Sequence, residues 1–567
     1  MKKLTSLLLI AALMISITAC SGGVGTTTAA PETPAVTGSA ETAAPTEAPT
    51  EPATEPQPAE EIALKGDTLK TSFVCEDNYR VFYEIFVGSF SDSDGDGIGD
   101  LRGIINRMDY LNDGDPNSGK SLGVEGLWLT PIFTSPSYHK YDVQDYYEVD
   151  PAFGTMEDLK ELLNLCHERN VEVILDLVIN HTGRRNKWFS DFVVARRQGD
   201  TASPYYDFYS TCSQNEAYPT GRVWEKVAGT DICYECNFST DMPELNYDSE
   251  NVRQAVLDVA KYYLDLGVDG FRFDAAKYVY LGDNAASASF WEWYMGELRK
   301  IKPDVYAVAE VWDADGITDI YYPAMDCFDF SVATAGGLLA ETANHRDVSR
   351  LTDYVDSYLD NVTSMRDGAM IVQFLSNHDM DRAAGFLTEA SGNMKVAANL
   401  YLLAPGSPYI YYGEELGMRG SRGGANTDAN RRLAMLWGDG DTVKDPEGTT
   451  YKASSQVQAT VADQIADVDS LYTYYKELIM LRKANPEIAR GDYEPLDLGK
   501  TKAGGFAATW EGSTVYVIHN TTTDPITVDL DQVTGDALSI SAFVGWNEAD
   551  LNGTMLTIGG QTSVILK

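Results

Sequence analysis

The chain has 567 residues, enough for more than one domain and a large core. Lys and Arg number 43 and Asp and Glu 85, a formal net charge of -42. A surface of that sign repels nucleic acid and anionic membranes, so no nucleic-acid partner is expected and neutral or cationic partners are favoured.

Residues 1–19 read as a signal peptide. Lys2 and Lys3 give a positive start, and Leu7 to Ile17 an apolar stretch too short to span a bilayer. Ile17-Thr18-Ala19-Cys20 resembles a bacterial lipobox, with Ile17 where Leu is usual. Cys20 is therefore expected to carry lipid and hold an extracytoplasmic lipoprotein on a bacterial cell surface. Residues 21–64 contain no Lys or Arg and are dominated by Thr, Ala, Pro and Glu. They cannot bury enough apolar surface to offset ordering entropy, so 20–64 reads as a lipidated, disordered stalk.

Between residues 80 and 415, apolar β-rich runs alternate with helical patterns. The runs are Val81–Val87, Val124–Pro131, Val171–Ile179, Val268–Phe273, Val305–Val311, Met325–Phe330, Met370–Leu375 and Pro408–Tyr412. Near-continuous apolar strands separated by helices indicate a parallel sheet covered on its faces. Eight such units predict an α/β fold, a (β/α)8 TIM barrel, built from residues 70–181 and 248–487. Polar residues cluster at the ends of these runs: Asn180 and His181, Arg272 and Asp274, Glu310, His378 and Asp379, Glu414 and Glu415. Catalytic residues occupy those ends in barrel enzymes.

The stretch after strand three, 182–247, is rich in aromatics and holds three cysteines, and is expected to be an inserted domain walling the cleft. Cys233-Tyr234-Glu235-Cys236 lacks the second CxxC of a zinc site. A structural role or a local disulfide with Cys212 is expected rather than redox catalysis. From 488 to 567 short strands with turns between them predict a C-terminal antiparallel β-sandwich.

The chemistry concentrates in Gly270-Phe271-Arg272-Phe273-Asp274. Alternate strand residues share a face, so Arg272 and Asp274 lie together. The guanidinium is expected to lower the Asp274 pKa and keep it ionised, as a nucleophile requires. Glu310 closes the next run, 36 residues on. Two carboxylates ending successive strands suggest glycoside hydrolysis. Asp92-Ser93-Asp94-Gly95-Asp96-Gly97-Ile98-Gly99-Asp100 copies the first half of an EF-hand loop. Gly103 stands at its twelfth position and no helix precedes it, so it is not an EF-hand, but it can wrap a hard cation.

Four motifs in chain order resemble glycoside hydrolase family 13, the α-amylase family, over roughly 75–567. They are Asp176-Leu177-Val178-Ile179-Asn180-His181, Gly270 to Lys277, Ala309-Glu310-Val311-Trp312 and Ser376-Asn377-His378-Asp379. Met242-Pro243-Glu244-Leu245-Asn246 resembles a fifth, in the form of the subgroup between oligo-1,6-glucosidases and neopullulanases that includes lipoprotein α-amylases. The resemblance implies Asp274 as nucleophile, Glu310 as acid/base and Asp379 as a binder of sugar hydroxyls. It implies substrate contacts from His181, His378, Arg272 and Lys277.

Tyr138-His139-Lys140-Tyr141-Asp142 resembles the family's YHGYD segment, implying that His139 and Tyr141 line the same subsite, with Lys140 replacing Gly. The first loop resembles the structural calcium loop of the oligo-1,6-glucosidase branch. Asp92, Asp94, Asp96 and Asp100 would ligate by side chains and Ile98 by its carbonyl. Tyr278 stands where many α-amylases have a His beside a second calcium, which puts that site in doubt. The implied activity is endo-hydrolysis of α-1,4 bonds in starch or maltodextrin by a monomer. An α-1,6-glucosidase, neopullulanase or glucanotransferase would share every catalytic residue. A non-catalytic glucan-binding lipoprotein is the reading from another class, and the intact Asp274, Glu310 and Asp379 argue against it.

Overall fold

Seven parallel strands and one bridged segment close into a (β/α)8 barrel in the computed structural model. It describes residues 70–567 apart from 346, 389–390, 453–454, 458, 500–501 and 536. The segments expected to be a signal peptide and a stalk, with Cys20 between them, lie outside the described residues. The strands are Phe82–Ile85, Gly126–Leu129, Glu172–Leu177, Gly270–Phe273, Tyr306–Ala309, Asp326–Cys327 and Tyr409–Tyr411. The seventh run joins only through two parallel bridges, Phe328 to Val372 and Phe374 to Tyr409, which complete the ring.

The strand residues are buried on both faces, which explains their apolar runs. Phe82, Trp128, Ile174, Tyr306, Val308, Phe328, Val372 and Tyr409 form one interior cluster. Phe82 stacks between Tyr306 and Tyr409, at 5.2 and 4.8 Å. Side chains alternate with period two, so the residue two positions beyond an inward apolar one also points inward. Glu84 follows Phe82 in this way, and Asp176 follows Ile174. A charged layer therefore sits above the apolar one, toward the strands' C-terminal ends.

One boundary differs from the sequence reading: the run Val268–Phe273 begins two residues before strand four. Leu266 ends the helix Glu250–Leu266, and Gly267 caps it at φ 105, a left-handed conformation that glycine adopts without strain. The strand begins at Gly270.

The segment after strand three carries the helix Lys187–Gln198 and a three-stranded antiparallel sheet of Thr211–Ser213, Trp224–Lys226 and Ile232–Glu235. Bridges from His181 to Glu244 and from Tyr209 to Leu245 tie its return to its start. Cys212 stands directly opposite Cys233 in this sheet, yet the described cysteines are free thiols, and no disulfide joins Cys212 to the CxxC pair.

At the C-terminus a five-stranded and a three-stranded antiparallel sheet enclose a core of Ile518, Val528, Leu556, Ile558 and Val564. Among the described residues no helix is long and apolar enough to cross a membrane.

Candidate active site

Arg272 organises the charged layer. It is fully buried on strand four, in register with Asp176 on strand three. Its Nη1 donates to Asp176 Oδ1 and to Asp274 Oδ1, both at 2.8 Å. Its Nη2 lies 2.9 Å from Glu310 Oε2. The guanidinium packs over the Trp128 ring at 5.2 Å. Glu310 Oε2 also accepts from the Ala275 backbone at 3.0 Å. Ala275 is held at φ 48, an unfavourable backbone conformation for a residue with a Cβ, directly after Asp274.

This sharing corrects the expectation for Asp274. One guanidinium divided among three carboxylates does not hold Asp274 low. Burial pushes its carboxyl up, Arg272 opposes only in part, Asp176 and Asp379 add to the rise, and it stands at about 6. Glu310 is also raised, by burial first and by the charges of Asp274 and Asp379, against Arg272. Asp379 is the opposite case. Burial raises it, but His378 and Arg432 outweigh that and hold it well below the usual range. Its oxygens lie 3.0 Å from His378 Nε2 and 2.6 Å from Arg432 Nη2.

The other expected residues divide. The Tyr141 ring lies nearly parallel to His378 at 5.5 Å, and its hydroxyl reaches Asp176 Oδ2 at 2.8 Å. His139 Nδ1 accepts from the Tyr141 backbone at 3.1 Å, and burial pushes its imidazole down to about 4. His181 is likewise driven down to about 4 by burial. Its Nε2 is buried with no hydrogen-bond partner among the described residues. Such an atom is costly unless a ligand completes it. Lys277 is committed to protein: its Nζ donates to the Trp312 carbonyl at 2.6 Å and to Asp313 at 3.1 Å. Glu414 and Glu415 do not reach the site. They are buried acceptors for the hydroxyls of Tyr401 and Tyr475, and of Tyr83 and Tyr110.

Lys140 is accommodated rather than disruptive. It takes the left-handed backbone at φ 66 that Gly would adopt freely. Its Nζ pairs with buried Asp150 at 2.9 Å and donates to the Ser135 carbonyl at 3.1 Å.

Some site residues were not anticipated. Arg432 comes from the loop after strand eight, and nothing in the local sequence marks it. Glu84 and Asp176 did carry a signal, since each is an acidic residue inside an otherwise apolar run. Trp312, 46% exposed, stacks on Phe330 at 5.0 Å and 12°. Phe238, 47% exposed, packs on Tyr278 and His181 at 5.0 and 5.3 Å. A cavity of about 660 Å³ is lined by Trp312, Thr334, Asp379, Met380, Arg419 and Tyr451. Exposed rings beside buried carboxylates suit a ligand with apolar faces and hydroxyl edges.

In the loop after strand one, carboxylate oxygens of Asp92, Asp94 and Asp100 lie within 4.8 Å of one another. Gly95 and Gly97, at φ 89 and 97, let the chain curl around that point. Asp96 is outside the group, and its Oδ1 accepts from the Ile98 backbone at 2.7 Å. An all-oxygen set on a curled loop fits a hard cation.

The α-amylase catalytic-domain family model matches residues 84–491. The chain belongs to the α-amylase family. As such it is an enzyme of α-glucan hydrolysis or transfer. Alpha-amylase 3 of Dictyoglomus thermophilum is 34% identical over 449 residues, 78% of this chain and 84% of that protein. An oligo-1,6-glucosidase of Bacillus cereus is 27% identical over 529 residues, 80% of this chain and 92% of its own length. The solved structure of Eubacterium rectale Amy13B superposes with a TM-score of 0.79 at 32% identity, covering 87% of this chain and 96% of that one. In this α-amylase family member Asp274 and Glu310 share Arg272 with Asp176, and Asp379 is paired with Arg432, all inside the residues that the family model covers.

Proposed function

We propose that the chain is a retaining α-amylase that cleaves internal α-1,4 bonds of starch or maltodextrin by double displacement. The observation that carries this is the bridging of Asp274 and Glu310 by Arg272. Carboxyl groups sharing one guanidinium favour the short separation of retaining enzymes, roughly 5–5.5 Å. Asp274 attacks the anomeric carbon and forms the covalent glycosyl-enzyme. Glu310 gives its proton to the leaving oxygen, then takes one from water. Asp379, locked by His378 and Arg432, accepts from hydroxyls of the reacting sugar. His181 Nε2 and the His139 ring complete the subsite. The likeness to Alpha-amylase 3 supports α-1,4 hydrolysis over the other activities of the family. Products from amylose, pullulan and panose test this. Mixed maltooligosaccharides from amylose, with the α-1,6 bond of panose untouched, are expected. Amylose left intact, with panose split to glucose and maltose, would move the assignment to an α-1,6-glucosidase.

The loop of Asp92, Asp94 and Asp100 is proposed to hold a structural calcium, with Asp96 and Ile98 drawn in around the ion. A metal that binds only the folded chain stabilises it by mass action. Chelation is expected to lower the melting temperature and added calcium to restore it. Replacing Asp94 and Asp96 by Ala should abolish that response, and an unaltered response would relocate the metal.

The mature enzyme is proposed to be held outside the cytoplasm by lipid on Cys20, near a polymer that cannot enter the cell. The charged start, short apolar stretch and Ala19-Cys20 pair support this. Intact mass of the mature protein reads it directly, and an unmodified Cys20 would overturn the anchor.

A further inference from the structure

Glu84 has no part in the reaction as derived, yet it is buried in the same charged layer. Its Oε1 lies 2.6 Å from Nδ1 of His378 and 3.4 Å from the His378 backbone nitrogen. On the opposite edge of the ring, Nε2 lies 3.0 Å from Asp379 Oδ2 and 2.7 Å from the Tyr141 hydroxyl. The single Tyr141 hydroxyl proton is directed to Asp176, so toward His378 that oxygen accepts. Nε2 must therefore carry a proton. Nδ1 faces a carboxylate and also needs one. A neutral imidazole has only one N–H and would turn a lone pair toward Glu84 or toward Asp379.

We infer that Glu84 is a positioning residue that keeps His378 a doubly protonated imidazolium, so that Nε2–H stays fixed on Asp379 and Tyr141. The inference deepens the glycosidase reading above and rests on it for its effect on turnover. The surroundings agree. Burial pushes the His378 imidazole down, but Asp379 and Glu84 outweigh it, and it stands at about 10. Arg272 opposes this as a nearby cation, but its charge is already divided among Asp176, Asp274 and Glu310. Arg432 donates to the His378 carbonyl at 3.1 Å and pairs with Asp379. His139, driven neutral by burial, adds no charge. Trp128 packs at a steep angle to the ring at 5.7 Å, and His378 is fully buried. Without Glu84, a buried imidazole in this position would titrate within the working pH range. Asp379 would then lose one of its two cationic partners.

Glu84→Gln keeps the size and an acceptor at Nδ1 but removes the charge. The alkaline limb of kcat/KM, set in the unaltered enzyme by loss of the Glu310 proton, is expected to move to lower pH as His378 becomes the first of the two to deprotonate. Glu84→Asp, which retains the charge, should return the profile most of the way. In protein labelled with ¹⁵N-histidine, the His378 ring is assigned by its loss in His378→Asn. It should show two protonated nitrogens at pH 7 in the unaltered protein and one in Glu84→Gln. A singly protonated His378 ring in the unaltered protein would overturn the inference, as would a Glu84→Gln profile superimposable on it. The ring measurement needs no substrate, so it stands or falls apart from the glycosidase reading. Failure of the unaltered enzyme to cleave any α-glucan would sink that reading alone.

Discussion

Asp274→Asn is expected to lower turnover on α-glucan by on the order of 10⁴-fold or more while the protein stays folded. An amide cannot attack the anomeric carbon as a carboxylate does. The fold should survive because Arg272 keeps Asp176 and Glu310 as partners and the Asn oxygen still accepts from Nη1. The same group sets the acid side of the pH profile. The nucleophile must be ionised, so activity rises as pH passes upward through its pKa. With Asp274 at about 6, the acid limb of kcat/KM is expected near pH 6 rather than near the usual Asp value. Purified Asp274→Asn with near-normal turnover would remove Asp274 from the reaction. An acid limb near pH 4 would mean that Arg272 dominates burial after all.

Glu310→Gln is expected to cost about 10²–10⁴-fold on starch, the usual range for a lost general acid. Its electrostatics suit two successive roles. While Asp274 is ionised, that charge helps burial keep Glu310 protonated. Once Asp274 is esterified the charge is gone, and the Glu310 pKa falls toward that of a base. The loss should therefore depend on the leaving group. An activated aryl glycoside needs little protonation, so its first step should be largely spared while the second stays slow. A burst of released aglycone followed by slow turnover is the expected trace. Equal losses on starch and on the aryl glycoside, with no burst, would count against the acid/base role.

The eight strands were legible because burial on both faces demands near-continuous apolar runs, as in Val171–Ile179 and Val305–Val311. Even there, hydropathy could not separate a helix end from a strand start. Leu266 and Val268 suit either element, and the left-handed φ of Gly267 ends the helix between them. The seventh run shows the same limit: its pattern is that of a strand, yet only Val372 and Phe374 make bridges. Glu414 and Glu415 also misled. At the end of strand eight they looked like site residues, but their carboxylates turn to tyrosine hydroxyls inside the fold.

The sequence by itself determined the barrel, the inserted segment's position and the placing of Asp274, Glu310 and Asp379 at strand ends. Strand-end motifs in fixed order leave little freedom in where those side chains go. Only the tertiary structure decided their charge states. Arg272 looked like a private partner of Asp274 along one strand. In the folded ring it is shared with Asp176 and Glu310, which come from neighbouring strands, and its field is divided. Arg432 and Glu84 reach the same layer from opposite ends of the barrel sequence, 348 positions apart. A pKa depends on burial and on every charge within a few ångströms. Those neighbours meet only when the sheet closes, so no local pattern in the chain could have supplied them.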